Sequence, residues 1–162
     1  MKPAFCIGID PGLSGAVGVL DAGGAFVATH DMPTAISTTG RKHLDPAGLA
    51  AILRQYPDAF ALVERVGARP GEGATGAFSF GHTFGGILGV LGALGISHDL
   101  IQPAVWKRKA GIPPGAPKGA SIAQALRLLP AAQPYLTRAK DDGRAEALLL
   151  ALQAAHHHCT TL

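Results

Sequence analysis

The feature that most constrains this chain is an apolar run that ends on a carboxylate. Residues 4–9 are continuously apolar, Asp10 follows, "DPGLSG" supplies turn chemistry, and "AVGVL" resumes the strand pattern. "DAGG" at 21–24 is a hairpin signal, and "AFVATHDM" at 25–32 reads as a third strand. The chain therefore begins as an antiparallel meander. An ionised carboxylate at the end of a buried strand is costly without a partner. Asp10 is thus a turn residue, a satisfied core hydrogen bond or a cation ligand.

The remaining pattern alternates helix and strand. Residues 44–56 carry an aspartate cap at Asp45, Pro46 at the first helical position and apolar residues at 49, 52 and 53, which predicts a helix. "AFALVERV" at 59–66 reads as a strand, apolar until Glu64. A Gly-rich loop from 68 leads to a long helix of small residues over 77–94, and "ISHDLIQP" reads as a short strand. "WKRKAGIPPGAPKG" reads as a basic, Pro-rich loop, "ASIAQALRLL" as a helix, and "DGRAEALLLALQAAHH" as a final helix. The order β-β-β-α-β-α-β-α-α predicts an α/β domain, a mixed sheet flanked by helices, with 1–162 as one unit.

Composition excludes several classes. With 48% hydrophobic and 15% charged residues and no low-complexity block, the chain is expected to be globular. A net charge of +3 is compatible with a polyanionic partner without requiring one. Cys6 and Cys159 lie at opposite ends, so neither a disulfide framework nor a CxxC pair is present, and a reducing cytoplasm is expected. "MKPAFCIGID" reaches an acid too soon for a secretory core, and "GGILGVLGALGI" is too short and Gly-rich to span a membrane. His156, His157, His158 and Cys159 are metal-ligating types, but a terminal cluster without a further ligand set reads as a frayed tail.

Carboxylates stand out at Asp10, at Glu64, and at Asp142 and Glu146 on the last helix. Each alone has a structural explanation: a turn residue, a solvated charge beside Arg65, and favourable charge at a helix N-terminus for Asp141 and Asp142. Together, two strand ends and a crossing helix can converge on one point. Oxygen-only ligands suit Mg²⁺, with Mn²⁺ as a substitute, completed by phosphate oxygens. Two such ions about 3.5–4 Å apart activate a water and stabilise the leaving 3′ oxygen in phosphodiester hydrolysis.

In order and spacing, "IGIDPGLSGAVGVL", "LVERV" and "KDDGRAEALLLA" resemble the RuvC-type Holliday-junction resolvases of the RNase H-like superfamily, most of all divergent or phage-borne members. The resemblance covers nearly the whole chain. It implies an RNase H-like fold with a five-stranded mixed β-sheet. It also implies a homodimeric, Mg²⁺-dependent endonuclease that nicks two opposed strands of a four-way DNA junction. Asp10 matches the family's first-strand aspartate and Glu64 its strand-end glutamate. The helix acids depart from the pattern: the family has two acids three apart before Ala-Leu, whereas here Gly143 lies three residues before Glu146. At 100° per residue, Asp142 and Glu146 lie about 40° apart on a helix and Asp141 and Glu146 about 140° apart, which favours Asp142.

Lys107, Arg108 and Lys109 beside Trp106, and Lys118 in "GAPKGAS", fall where the family has lysines. Alone they read as a solvated surface cluster. Beside the acids they read as contacts to scissile and flanking phosphates, with Lys118 the better match and Trp106 a packing residue. The family's stacking aromatic after the strand glutamate is replaced by Gly67; Phe78 or Phe80 is the substitute, unless both are core. Gly81, Gly85, Gly89 and Gly92 recur along one helix, where each glycine costs up to about 1 kcal/mol relative to Ala. Close backbone approach is the compensating reason, either to the sheet or, as the family implies, across a dimer interface. His82 on the same helix is expected to be structural.

Sugar-kinase and actin-like proteins also open with a strand, an aspartate and glycines, but they need two such domains and this chain is too short. The open alternatives are an RNase H-like nuclease acting on other branched DNA or on RNA–DNA hybrid, and a DNA-binding scaffold without catalysis.

Overall fold

The computed structural model describes residues 2–67, 71 and 73–159, without the side chains of His158 and Cys159. Strands β1 (Phe5–Asp10), β2 (Ala16–Asp21) and β3 (Phe26–Asp31) form the expected antiparallel meander. Its second turn closes as "DAGG" predicts: the Asp21 side chain accepts from the Gly23 and Ala25 amides at 2.8 and 2.9 Å, and Gly24 adopts a left-handed φ of 85°.

A two-stranded hairpin of β4 (Thr34–Ile36) and β5 (Lys42–Leu44) follows. The sequence reading missed it because three-residue strands carry no alternation to detect. Helix α1 (Pro46–Leu53) starts as predicted, with Asp45 accepting from the Ala47 and Gly48 amides. Strands β6 (Ala59–Glu64) and β7 (Ser97–Ile101) join β1 in parallel, giving one five-stranded mixed sheet in the order β3-β2-β1-β6-β7.

Helix α2 (Ala74–Ala93), which joins β6 to β7, begins three residues before the predicted 77. The start of the Gly-rich loop, residues 68–70, and Glu72 lie outside the described residues. Helices α3 (Pro103–Lys109), α4 (Ala120–Leu128) and α5 (Asp142–Cys159) complete the chain, with short 3₁₀ turns at Pro130–Tyr135 and Ala139–Asp141. The expected basic loop therefore begins as a helix. Pro103 fits its first turn, Trp106 is fully buried, and Lys107, Arg108 and Lys109 favour the negative end of the helix dipole. The C-terminal tail is also helical rather than frayed, through Cys159. The metal-ligand reading of His158 and Cys159 concerns side chains outside the described residues.

Alternation along the strands splits the core into two layers. Ile7, Ile9, Val17, Val19, Ala61 and Val63 pack with α1 and α2, whereas Cys6, Leu20, Phe60 and Leu62 pack with Trp106, α4 and α5. Helix α5 crosses directly over β1 and β2. A β-carbon on Gly8 would collide with the Ala147 carbonyl oxygen, and one on Gly18 would stand 2.6 Å from the Leu148 amide nitrogen. These two glycines bring the helix backbone onto the sheet. Leu148, Leu149 and Leu150 are fully buried there, each contributing about 1.5–3 kcal/mol of burial.

Candidate active site

Parallel register places two carboxylates side by side. Ile9 pairs with Val63, so Asp10 and Glu64 are the next residues at the carboxyl ends of β1 and β6. The period of two puts both on the α5 face, in line with Cys6 and Gly8 on one strand and Phe60 and Leu62 on the other. Asp10 is cradled by glycines: a β-carbon on Gly15 would stand 2.9 Å from the Asp10 Cγ, and one on Gly143 would stand 3.3 Å from its Oδ2.

Glu146 completes an electrostatic cluster. Burial first, then the charge of Glu146, raises the Asp10 pKa to about 6, offset in part by the Gly12 amide and by Lys107. Glu64 is buried, and its pKa rises to about 7 through burial, Asp10 and Glu146, with Lys107 and Trp106 opposing. The Trp106 indole N–H has no hydrogen bond of standard geometry, yet favours the charged form of Glu64. Glu146 itself accepts on Oε1 from Lys107 Nζ at 2.9 Å and from Ser121 Oγ at 3.1 Å. Sequence reasoning missed Ser121, because a lone serine in a helix carries no signal until the fold shows what it faces.

The two neighbouring aspartates have separate fates. Asp141 is buried and held by Arg138: Nη2 donates at 2.6 Å, Nε at 3.0 Å and the backbone amide at 2.8 Å. These bonds hold its carboxyl below the usual carboxylate range. Asp142 instead lines a cleft with Glu146, and its Oδ1 is buried with no hydrogen-bond partner. Among the described residues, no three Asp, Glu, His or Cys side chains are already gathered into a metal-holding group.

The cleft, about 550 Å³, is also lined by Lys107, Arg108, Lys118 and Ser121. Lys109 does not reach it. Two helical positions beyond Lys107, it points some 200° away and lines a second cleft with Arg127 and His156, which corrects the expected three-residue basic cluster.

The glycines of α2 lose one of their two readings. Gly81, Gly85, Gly89 and Gly92 have nothing within 4 Å of where a β-carbon would stand, so they do not pack against the sheet; Thr83, Ile87 and Leu91 are the buried positions. His82 is exposed rather than structural. Phe78 at the start of α2 is 77% exposed and so is not core, and Phe80 is half-buried.

The architecture superimposes on that of Thermus thermophilus RuvC solved with a Holliday junction substrate, at a TM-score of 0.66 and 18% identity, over 97% of this chain and 96% of that one. The fold is that of RuvC. A second Thermus thermophilus RuvC structure gives a TM-score of 0.57 at 19% identity, over 95% and 93% of the two chains. In sequence, 124 residues, 74% of the chain, are 32% identical to the chloroplastic Holliday junction resolvase MOC1 of Chlamydomonas reinhardtii. The chain spans 14% of that relative's length. No family model matches. Among the described residues, no helix is long and apolar enough to cross a membrane.

Proposed function

We propose that this protein is a divalent-metal-dependent, structure-specific endonuclease that resolves four-way DNA junctions by paired nicks, with 1–162 acting as one nuclease domain. The observation that carries this reading is the pairing of Asp10 and Glu64 at adjacent strand ends, facing Glu146 at the rim of a cleft lined by lysines. The names of its relatives support it: the resolvase similar in sequence and the RuvC solved with a junction both act on or hold Holliday junctions.

The residues present fit a hard cation. All four acids, Asp10, Glu64, Asp142 and Glu146, offer carboxylate oxygen only. A buried Asp142 oxygen without a donor and an Asp10 carboxylate cradled by glycines are both groups that a cation would satisfy. When bound, Mg²⁺ or Mn²⁺ would supply an activated water and neutralise charge on the leaving oxygen. The chain's own residues do the rest. Asp10 and Glu64 give up protons near neutral pH. Lys118 and Arg108 position the flanking phosphates, and Lys118 meets the charge developing at the scissile one.

Phe78 supplies the exposed ring for stacking on unpaired bases; Phe80, half-buried, offers less surface. Opposed cuts require two sites related by a two-fold axis, and the exposed glycine face of α2 is the seam proposed for a homodimer. Cys6, a buried core thiol, accords with a cytoplasmic setting.

The direct test incubates purified protein with a four-way junction, a Y-fork, duplex DNA and an RNA–DNA hybrid, in Mg²⁺, Mn²⁺ or EDTA. Symmetric nicks in the junction, dependent on the ion, are expected. Preference for the fork or the hybrid would reassign the substrate. Junction binding without cleavage in either ion would make the protein a scaffold.

A further inference from the structure

Ser121 sits in the first turn of α4, buried, and its hydroxyl does not cap that helix: it crosses 25 positions of sequence to donate to Glu146 Oε1. Lys107 reaches the same oxygen from α3. Two elements thus anchor one oxygen of the carboxylate, and no hydrogen bond among the described residues engages Oε2. A glutamate has three rotatable side-chain bonds, and the neighbouring negative charges of Asp10 and Glu64 would drive an unanchored carboxylate away from them.

We propose that Ser121 is a positioning residue of the metal site, fixing Oε1 of Glu146 so that Oε2 would be left to a divalent cation that Asp10 and Glu64 would also help to hold. This rests on the metal-dependent reading above. Ser121 acts through Glu146, to which its hydroxyl donates. It also ties the acids to the Lys118 segment that opens α4, so the phosphate contact and the ligand are set by the same turn. Removing a donor that orients a ligating group typically costs about 10–100-fold in metal affinity or activity.

The test is Mn²⁺ titration by calorimetry on the full chain without DNA, comparing wild type, Ser121→Ala, Ser121→Thr and Asp10→Asn, with melting followed by circular dichroism. Ser121→Ala should weaken Mn²⁺ binding about tenfold with an unchanged fold, and Ser121→Thr, which keeps the hydroxyl, should restore it to within about threefold. Ser121→Ala binding within about twofold of wild type would overturn the assignment. So would Ser121→Thr as impaired as Ser121→Ala while melting like wild type. If wild type binds and Asp10→Asn does not, an unaffected Ser121→Ala sinks this inference alone. A wild type that binds no Mn²⁺ at millimolar concentration removes the metal-dependent reading and the inference with it.

Discussion

Gly143 stands against Ser14 with no room for a side chain: a β-carbon there would lie 2.6 Å from the Ser14 carbonyl oxygen and 3.1 Å from the Gly15 Cα. Both obstacles are backbone. The turn after Asp10 and the first turn of α5 therefore lock together, which explains why the helix acids fall four apart rather than three. Gly143→Asp, which recreates the three-residue spacing, should destabilise the fold by about 1–3 kcal/mol and lower cleavage, because relief of the clash displaces Asp10. Thermal melting and junction cleavage check this. A stable and more active Gly143→Asp would mean that the β1–β2 turn yields.

Asp10→Asn should abolish cleavage and leave junction binding intact. It removes the carboxylate that faces both Glu64 and Glu146 but no phosphate contact. Gel-shift and nicking assays on one preparation separate the two effects. Appreciable cutting by Asp10→Asn, or cutting in EDTA, would refute the metal mechanism.

The helix acids should divide by role. Asp142→Asn and Glu146→Gln should each lose at least about a hundredfold in rate, since a misplaced ion weakens both water activation and charge neutralisation. Asp141→Asn should cleave nearly normally but lose about 1–3 kcal/mol of stability, because its buried carboxylate is the acceptor for Arg138. Rates at saturating Mg²⁺ beside melting curves decide it. A dead Asp141→Asn with an active Asp142→Asn would move the ligand by one residue.

Stability without metal should fall as pH rises. Folding raises the pKa of Asp10 from 3.8 to about 6 and that of Glu64 from 4.5 to about 7. The folded chain therefore holds these protons more tightly than the unfolded one. Their stabilising contribution is complete below the unfolded values of 3.8 and 4.5, declines above them, and is gone once pH has risen through about 6 to 7. Melting in EDTA should drop across this window, less so for Asp10→Asn. Added Mg²⁺ should offset the drop, and cleavage should rise over the same range. A wild-type melting profile that parallels that of Asp10→Asn would remove the argument.

Gly85→Ala tests the proposed seam of the dimer. The space beside Gly85 is open within one chain, so alanine should stabilise a lone helix by about 0.5–1 kcal/mol. Against a closely packed partner helix the added methyl should instead weaken association. Light scattering of wild type should show a dimer at micromolar concentration, with a shift toward monomer in Gly85→Ala and more so in Gly85→Leu. A monomeric wild type that still resolves junctions would refute the seam.

Much of the site was legible because its carboxylates interrupt otherwise apolar runs. Asp10 and Glu64 end buried strands, and the spacing of Asp142 and Glu146 matches one helix face, so each is visible as a local departure from pattern. Other features were misread because local pattern could not decide them. The glycines of α2 left packing on the sheet and a dimer interface both open, and the glycines that bring a helix onto the sheet are Gly8 and Gly18, in strands. Helix α3 hid behind the Pro-rich segment that follows it, and the burial of Trp106 that anchors it depends on α5, far away in sequence.

Local pattern sufficed for the opening three-strand meander, the α1 cap and the acids at the ends of β1 and β6, because periodicity and capping are short-range properties written within a few neighbouring residues, whereas the β4–β5 hairpin and α3 escaped it. Which acids meet was settled by contacts between distant segments. Parallel register set Asp10 beside Glu64, and the approach of α5 onto Gly8 and Gly18 brought Glu146 toward both. Arg138 withdrew Asp141 from the site, and helical rotation carried Lys109 to another face. Burial, charge pairing and pKa depend on distances across chain segments far apart in sequence, which are fixed only when the two core layers close on the sheet.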